Sequence, residues 1–126
     1  MAEKEPSQRQ LRVGQEVKKI LAGEIEKGLV RNLEGIDALV TIMEVRISPD
    51  LKYANVYFIT SQKDRDEEVR TGLQLAANHF RKIIGMKMEL RYVPELNFRI
   101  DESFEQVDKM EKLFRDPRVA QDLKKD

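Results

Sequence analysis

The side chains with the most chemical potential in this sequence are cations. From His79 to Arg99, five bases (Arg81, Lys82, Lys87, Arg91 and Arg99) are set against two acids, Glu89 and Glu95. They follow Asn78 and His79, where the periodicity described below starts a helix, so the amides of a first helical turn would lie close to several cations. That combination suits phosphate: unpaired N–H groups offer an anion site, and the cations add an attraction that salt screens. A plainer account stands beside it, with Arg81 and Lys82 as the solvated face of a helix whose other side is Phe80, Ile83 and Ile84. A second basic set, Arg9, Arg12, Lys19 and Lys27, is interleaved with Glu16 and Glu26, and ordinary intrahelical pairing explains it equally well.

Covalent and acid–base chemistry have little to work with. The 126 residues include no cysteine and one histidine, His79, which removes thiolate nucleophiles and sulfur-bound zinc and leaves a lone imidazole without a partner ligand. The acidic run Asp64, Asp66, Glu67 and Glu68 falls in a first helical turn, where carboxylates complement the helix dipole. No serine elbow, glycine-lysine phosphate loop, zinc-protease histidine pair or dinucleotide glycine pattern occurs. The expectation is a protein that is not an enzyme, with no catalytic residue, metal or cofactor. Bases equal acids, 23 to 23, so the total charge gives no pull toward nucleic acid; acids outnumber bases eight to five over 32–78 and eight to six over 101–126, which leaves the basic excess local.

The elements that must position these groups follow from periodicity. Val13, Val17, Ile20, Leu21 and Ile25 recur at helical spacing, predicting a helix from Ser7 to Lys27 ended by Gly28. Leu39 to Ser48 alternates, with Thr41, Met43, Val45 and Ile47 on one side and Val40, Ile42, Glu44 and Arg46 on the other. Ser48-Pro49-Asp50 supplies a turn into a second strand, Tyr53 to Thr60, and the pair reads as an antiparallel hairpin. Tyr53, Asn55 and Tyr57 share one face of that strand, suited to stacking on unpaired bases or to cross-strand packing.

Asp64 and Glu67 have capping-box spacing for a second helix through Val69, Gly72, Leu73 and Ala76. A kink with Asn78 in the left-handed region then leads to a third helix ending at Gly85. Met88 to Val93 predicts a third strand that Pro94 bends and Leu96, Phe98 and Ile100 continue. Asp101 or Ser103 is placed to cap a last helix bearing Phe104, Val107, Met110 and Phe114. The fold class is therefore α+β, a three-stranded sheet covered by helices on one face, in the order of a type II KH domain (α-β-β-α-kink-α-β) with a C-terminal accessory helix.

The residues also resemble a family. Arg12-Val13, the run Val45-Arg46-Ile47-Ser48-Pro49-Asp50-Leu51-Lys52-Tyr53-Ala54-Asn55-Val56-Tyr57, and Arg91-Tyr92-Val93-Pro94-Glu95-Leu96-Asn97-Phe98 leading into Asp101-Glu102-Ser103 are similar to ribosome-binding factor A, the bacterial and plastid assembly factor. The resemblance implies a KH-like fold whose GxxG loop is replaced by an Ala-x-Gly kink, here Ala76-Ala77-Asn78, with Asn78 where the family carries glycine. It further implies transient binding to the immature small ribosomal subunit and its rRNA, late maturation near the rRNA 5′ end, a role in the cold, and no catalysis. With the charge pattern it gives an expected RNA-contact set of Asn78, His79, Arg81, Lys82, Lys87, Arg91, Arg9, Arg12 and Lys19.

One domain over 7–115 is expected, between a flexible 1–6 and a charged tail at 116–126. A charged N-terminus, no cysteine and no long apolar stretch predict a cytoplasmic protein away from membranes. It is expected to be a monomer, with other assembly factors as further partners. A competing function is a KH-like protein–protein module that docks through its acidic C-terminal helix or an exposed strand edge.

Overall fold

The computed structural model describes residues 5–27 and 38–103. Helix α1 (Gln8–Glu26) starts at Ser7 with a full capping box: Ser7 Oγ accepts from the Gln10 amide, and Gln10 Oε1 accepts from the Ser7 amide. The Gln10 side chain also donates to the Ile47 carbonyl at 2.9 Å, tying the start of the helix to the end of a strand. Val13, Val17 and Leu21 are buried from the expected stripe. Gly14 is buried beside them, and a Cβ there would lie 2.7 Å from the Val45 carbonyl oxygen. The helix backbone rests almost directly on the strand backbone.

Strand β1 (Val40–Ile47) pairs antiparallel with β2 (Tyr53–Thr60), and β2 pairs parallel with β3 (Glu95–Ile100), giving the order β1-β2-β3. Three alternating residues of β2 (Ala54, Val56 and Phe58) are wholly buried, so the helices cover one face of the central strand. The two faces expected of β1 do not hold. Ile42 pairs with Phe58 and Glu44 with Tyr57, so Met43 is a bulge residue that shifts the phase and puts Ile42 on the buried side with Ile47.

Helix α2 (Asp66–Leu75) follows a 3-10 turn at Lys63–Arg65, and helix α3 (Ala77–Met88) follows Ala76. The capping box expected from Asp64 and Glu67 does not form. The helix begins at Asp66, which bonds the Thr60 hydroxyl and has no side-chain cap before it. The bend is at Ala76, φ −87° and ψ 1°, and Asn78 sits inside α3 rather than in the left-handed region. Ala is the best helix former, so propensity does not cause this break. A straight helix over 66–88 would run on the order of 35 Å, well past a sheet of three strands about 4.8 Å apart. Bending lets Val69 and Leu73 of α2 and Phe80 and Ile84 of α3 reach one core, where Phe80 and Phe98 pack at a ring-centroid distance of 6.0 Å.

The third strand is shorter than expected. Helix α3 runs past Gly85 to Met88 and is closed by Glu89 at φ 52°, whose amide bonds the Gly85 carbonyl. Residues 89–94 form a connector, and Pro94 is buried at its end. The sheet's outer edge on β3 is closed by Gln74 of α2, which donates to the Leu96 carbonyl and accepts from the Phe98 amide as a neighbouring strand would. Asp101 accepts from the Ser103 amide. The accessory helix expected next, the 116–126 tail, residues 1–4 and the Gly28 stop lie outside the described residues.

Gly14→Ala tests the contact between α1 and β1. Alanine is about 1 kcal/mol better than glycine inside a helix, yet the added methyl would collide with backbone that cannot swing aside. A net loss of about 1–3 kcal/mol is expected in urea denaturation, as for other overpacked sites.

Candidate nucleic-acid interface

At one end of the sheet, three segments enclose a groove of about 770 Å³: the start of α1 with Arg9 and Val13, the β1–β2 turn from Asp50 to Tyr53, and the connector from Leu90 to Glu95. Arg81 reaches it from α3. Four cations (Arg9, Lys52, Arg81 and Arg91) thus meet two carboxylates, Asp50 and Glu95, beside the rings of Tyr53 and Tyr92.

The turn is held from within. Asp50 Oδ1 accepts from Ser48 Oγ at 2.6 Å and from the Lys52 amide at 3.0 Å. The Ser48 hydroxyl, then the Lys52 amide, holds the Asp50 carboxyl below its ordinary range, so it is committed to the turn as an anion. Leu51 takes φ 62°, a left-handed geometry costing on the order of 1–3 kcal/mol for a bulky residue, and its side chain packs on the core. This geometry carries Lys52 and Tyr53 to the groove, where the Lys52 carbonyl accepts from the Glu95 amide at 2.8 Å.

The connector is held by Arg81, whose Nε donates to the Pro94 carbonyl at 3.1 Å and whose Nη2 donates to the Val93 carbonyl at 2.9 Å. Charged donors on carbonyls are among the stronger hydrogen bonds. Arg91 stands clear of this clamp, its guanidinium 5.6 Å from the centre of the Tyr92 ring.

The structure divides the residues that sequence reasoning grouped. Arg9, Arg81 and Arg91 come together in the groove, while Asn78, His79 and Lys82 are exposed on the first turns of α3 and do not line it. Lys87 approaches Glu24 of α1 at 3.8 Å, and Arg12 and Lys19 are exposed on α1 and do not line the groove. Arg81 and Lys82, adjacent in sequence, therefore differ in kind, one bonded into the fold and one solvated. Lys52 and Tyr92 also line the groove, outside the set expected from sequence; Tyr92 falls in a stretch whose alternation predicts strand. Tyr57 packs under Arg46, 5.4 Å from ring centre to guanidinium, and does not line the groove as Tyr53 does. Among the described residues no cluster of three metal-ligating side chains occurs, and no helix is long and apolar enough to cross a membrane.

Much of the groove, Val13, Asp50 to Tyr53 and Arg91 to Glu95, comes from the runs that carried the resemblance, and the family model described as ribosome-binding factor A matches residues 9–114. The chain belongs to the ribosome-binding factor A family. The Rhodospirillum rubrum ribosome-binding factor A is 38% identical over 122 residues, 97% of this chain and 74% of that one. The crystal structure of ribosome-binding factor A from Thermus thermophilus shares the fold with a TM-score of 0.61 at 23% identity, over 72% of this chain and 94% of that one. A Thermus thermophilus ribosome-binding factor A homology model, fitted into a cryo-EM map of a complex with the 30S subunit, aligns with a TM-score of 0.58 at 23% identity, covering 71% and 91%. Ribosome-binding factor A structures have a KH-like fold, and this member shares it.

In this ribosome-binding factor A member the groove wall depends on Arg81 more than on its neighbour. Arg81→Ala is expected to lose about 1.5–3 kcal/mol in urea denaturation as two charged hydrogen bonds go. Lys82→Ala is expected to stay within about 0.5 kcal/mol of the parent.

Proposed function

We propose that this protein binds the immature small ribosomal subunit through its rRNA and assists late maturation of the rRNA 5′ end without catalysing it, working as a cytoplasmic monomer. The observation that carries this is the groove, in which four cations meet two carboxylates; Arg81 is bonded to two carbonyls and Asp50 within its own turn, which leaves Arg9, Lys52 and Arg91 against Glu95. Cations on a concave surface attract a polyanion and release its counterions. Family membership over residues 9–114, and the Thermus thermophilus relative fitted in a 30S complex, point to which polyanion.

The competing view of a protein-docking module has less strand edge to use, while its other docking element, the acidic C-terminal helix, lies outside the described residues. Gln74 occupies the outer edge of β3, and α1 lies against β1 at Gly14 and Gln10, so strand addition has little free edge among the described residues.

Co-sedimentation with immature and mature small subunits tests the proposal. Binding should favour immature particles and weaken as salt rises, with a log–log slope on the order of two to four for this number of cations. Lys52→Glu with Arg91→Glu should weaken binding at least about tenfold and flatten that slope, because each removed phosphate contact lowers it by about one. Association that ignores salt and survives nuclease digestion would contradict it.

A further inference from the structure

We propose that the groove accepts an unpaired nucleotide of single-stranded RNA, with its base stacked on Tyr92 beside Tyr53 and its phosphates met by Arg9, Lys52 and Arg91. This rests on the RNA function above and names the class of RNA that the groove takes.

Three observations carry it. Tyr92 is 74% exposed and Tyr53 47% exposed, yet both line one hollow, so two aromatic rings that folding has not covered face the same space. The lining they share is apolar in part, with Val13, Leu51, Leu90, Val93 and the buried Pro94, and charged in part, with Arg9, Lys52 and Arg91. Arg91 lies 5.6 Å from the Tyr92 ring centre, an arrangement that presents a π surface with a cation attached to it.

A hollow lined by apolar, aromatic and cationic side chains together matches a nucleobase with its phosphate. A duplex cannot use it, because paired bases hide their faces in the stack; only an unpaired base can lie on a tyrosine. The hollow of about 770 Å³ falls within the range of about 300–1,000 Å³ typical of sites that enclose small ligands. The third tyrosine of the chain, Tyr57, lies outside the hollow and is less exposed than Tyr53 or Tyr92.

The full chain is titrated by fluorescence anisotropy with a labelled single-stranded RNA hexanucleotide of mixed sequence and with the same sequence as a duplex. Tyr92→Ala, Tyr53→Ala and Tyr92→Phe are compared, with circular dichroism confirming that each is folded. The parent should prefer the single strand. Tyr92→Ala should weaken that binding by about tenfold, in line with the loss of one stacked base, and should leave duplex binding unchanged. Tyr53→Ala should weaken it less, and Tyr92→Phe, which keeps the ring, should stay within about twofold of the parent.

A preference for duplex, or a Tyr92→Ala variant that binds the hexanucleotide as the parent does, overturns the inference. Association with immature subunits separates the two levels. A parent that binds those subunits while Tyr92→Ala changes neither assay sinks the stacking site and leaves the assembly function standing. A parent that binds neither subunits nor hexanucleotide sinks both. Binding to subunits that needs Tyr92 but persists after RNA digestion assigns the groove to a protein partner and overturns the inference.

Discussion

Two hydrogen bonds from one guanidinium fix the part of this molecule that matters most. Between α3 and β3 the chain must reverse within residues 89–94 and enter the sheet through Pro94, which has no amide to give to a ladder. The carbonyls of Val93 and Pro94 at this reversal would cost free energy if buried without partners, and Arg81 supplies both. A cation held for this structural purpose also adds its charge to the groove. The same side chain therefore sets the position of Arg91 and Tyr92 and raises the local positive potential.

The rest of the groove depends on backbone approaches that leave no room for variation. Helix α1 can bring Arg9 to the end of the sheet because Gly14 allows the helix to lie on the Val45 carbonyl and because Gln10 bridges to Ile47. The β1–β2 turn brings Lys52 and Tyr53 there because Leu51 accepts a left-handed geometry that its packing on the core sustains. The sheet is the rigid frame, and three segments distant in sequence meet at one of its ends. The proposed function on this KH-like fold rests on the segments that converge and not on the layers themselves.

Much of the frame was legible in the sequence. The Val13, Val17 and Leu21 stripe and the alternation of Ala54, Val56 and Phe58 state their structures directly, because burial on one face imposes a period. The errors lie where tertiary contacts overrule local pattern. Met43 looked like an ordinary strand residue because a bulge leaves no mark in the alternation. Gly85 looked like a helix stop, but the helix continues through it to Met88, and a Cβ at that position would lie 3.0 Å from the Val93 side chain. Reading Met88 to Val93 as strand concealed the connector and with it Tyr92. Arg81 and Lys82 could not be told apart, since nothing in sequence shows which of two neighbouring cations finds carbonyl partners across the fold.

We propose that RNA meets the end of the sheet in preference to the bend between α2 and α3. Backbone amide chemical shifts, followed by NMR as single-stranded small-subunit rRNA fragments are added, test it most directly. The largest changes are expected at Arg9, over Asp50 to Tyr53 and over Leu90 to Glu95, diminishing as salt is raised. Changes centred on Asn78, His79 and Lys82, with the groove residues unmoved, would contradict it.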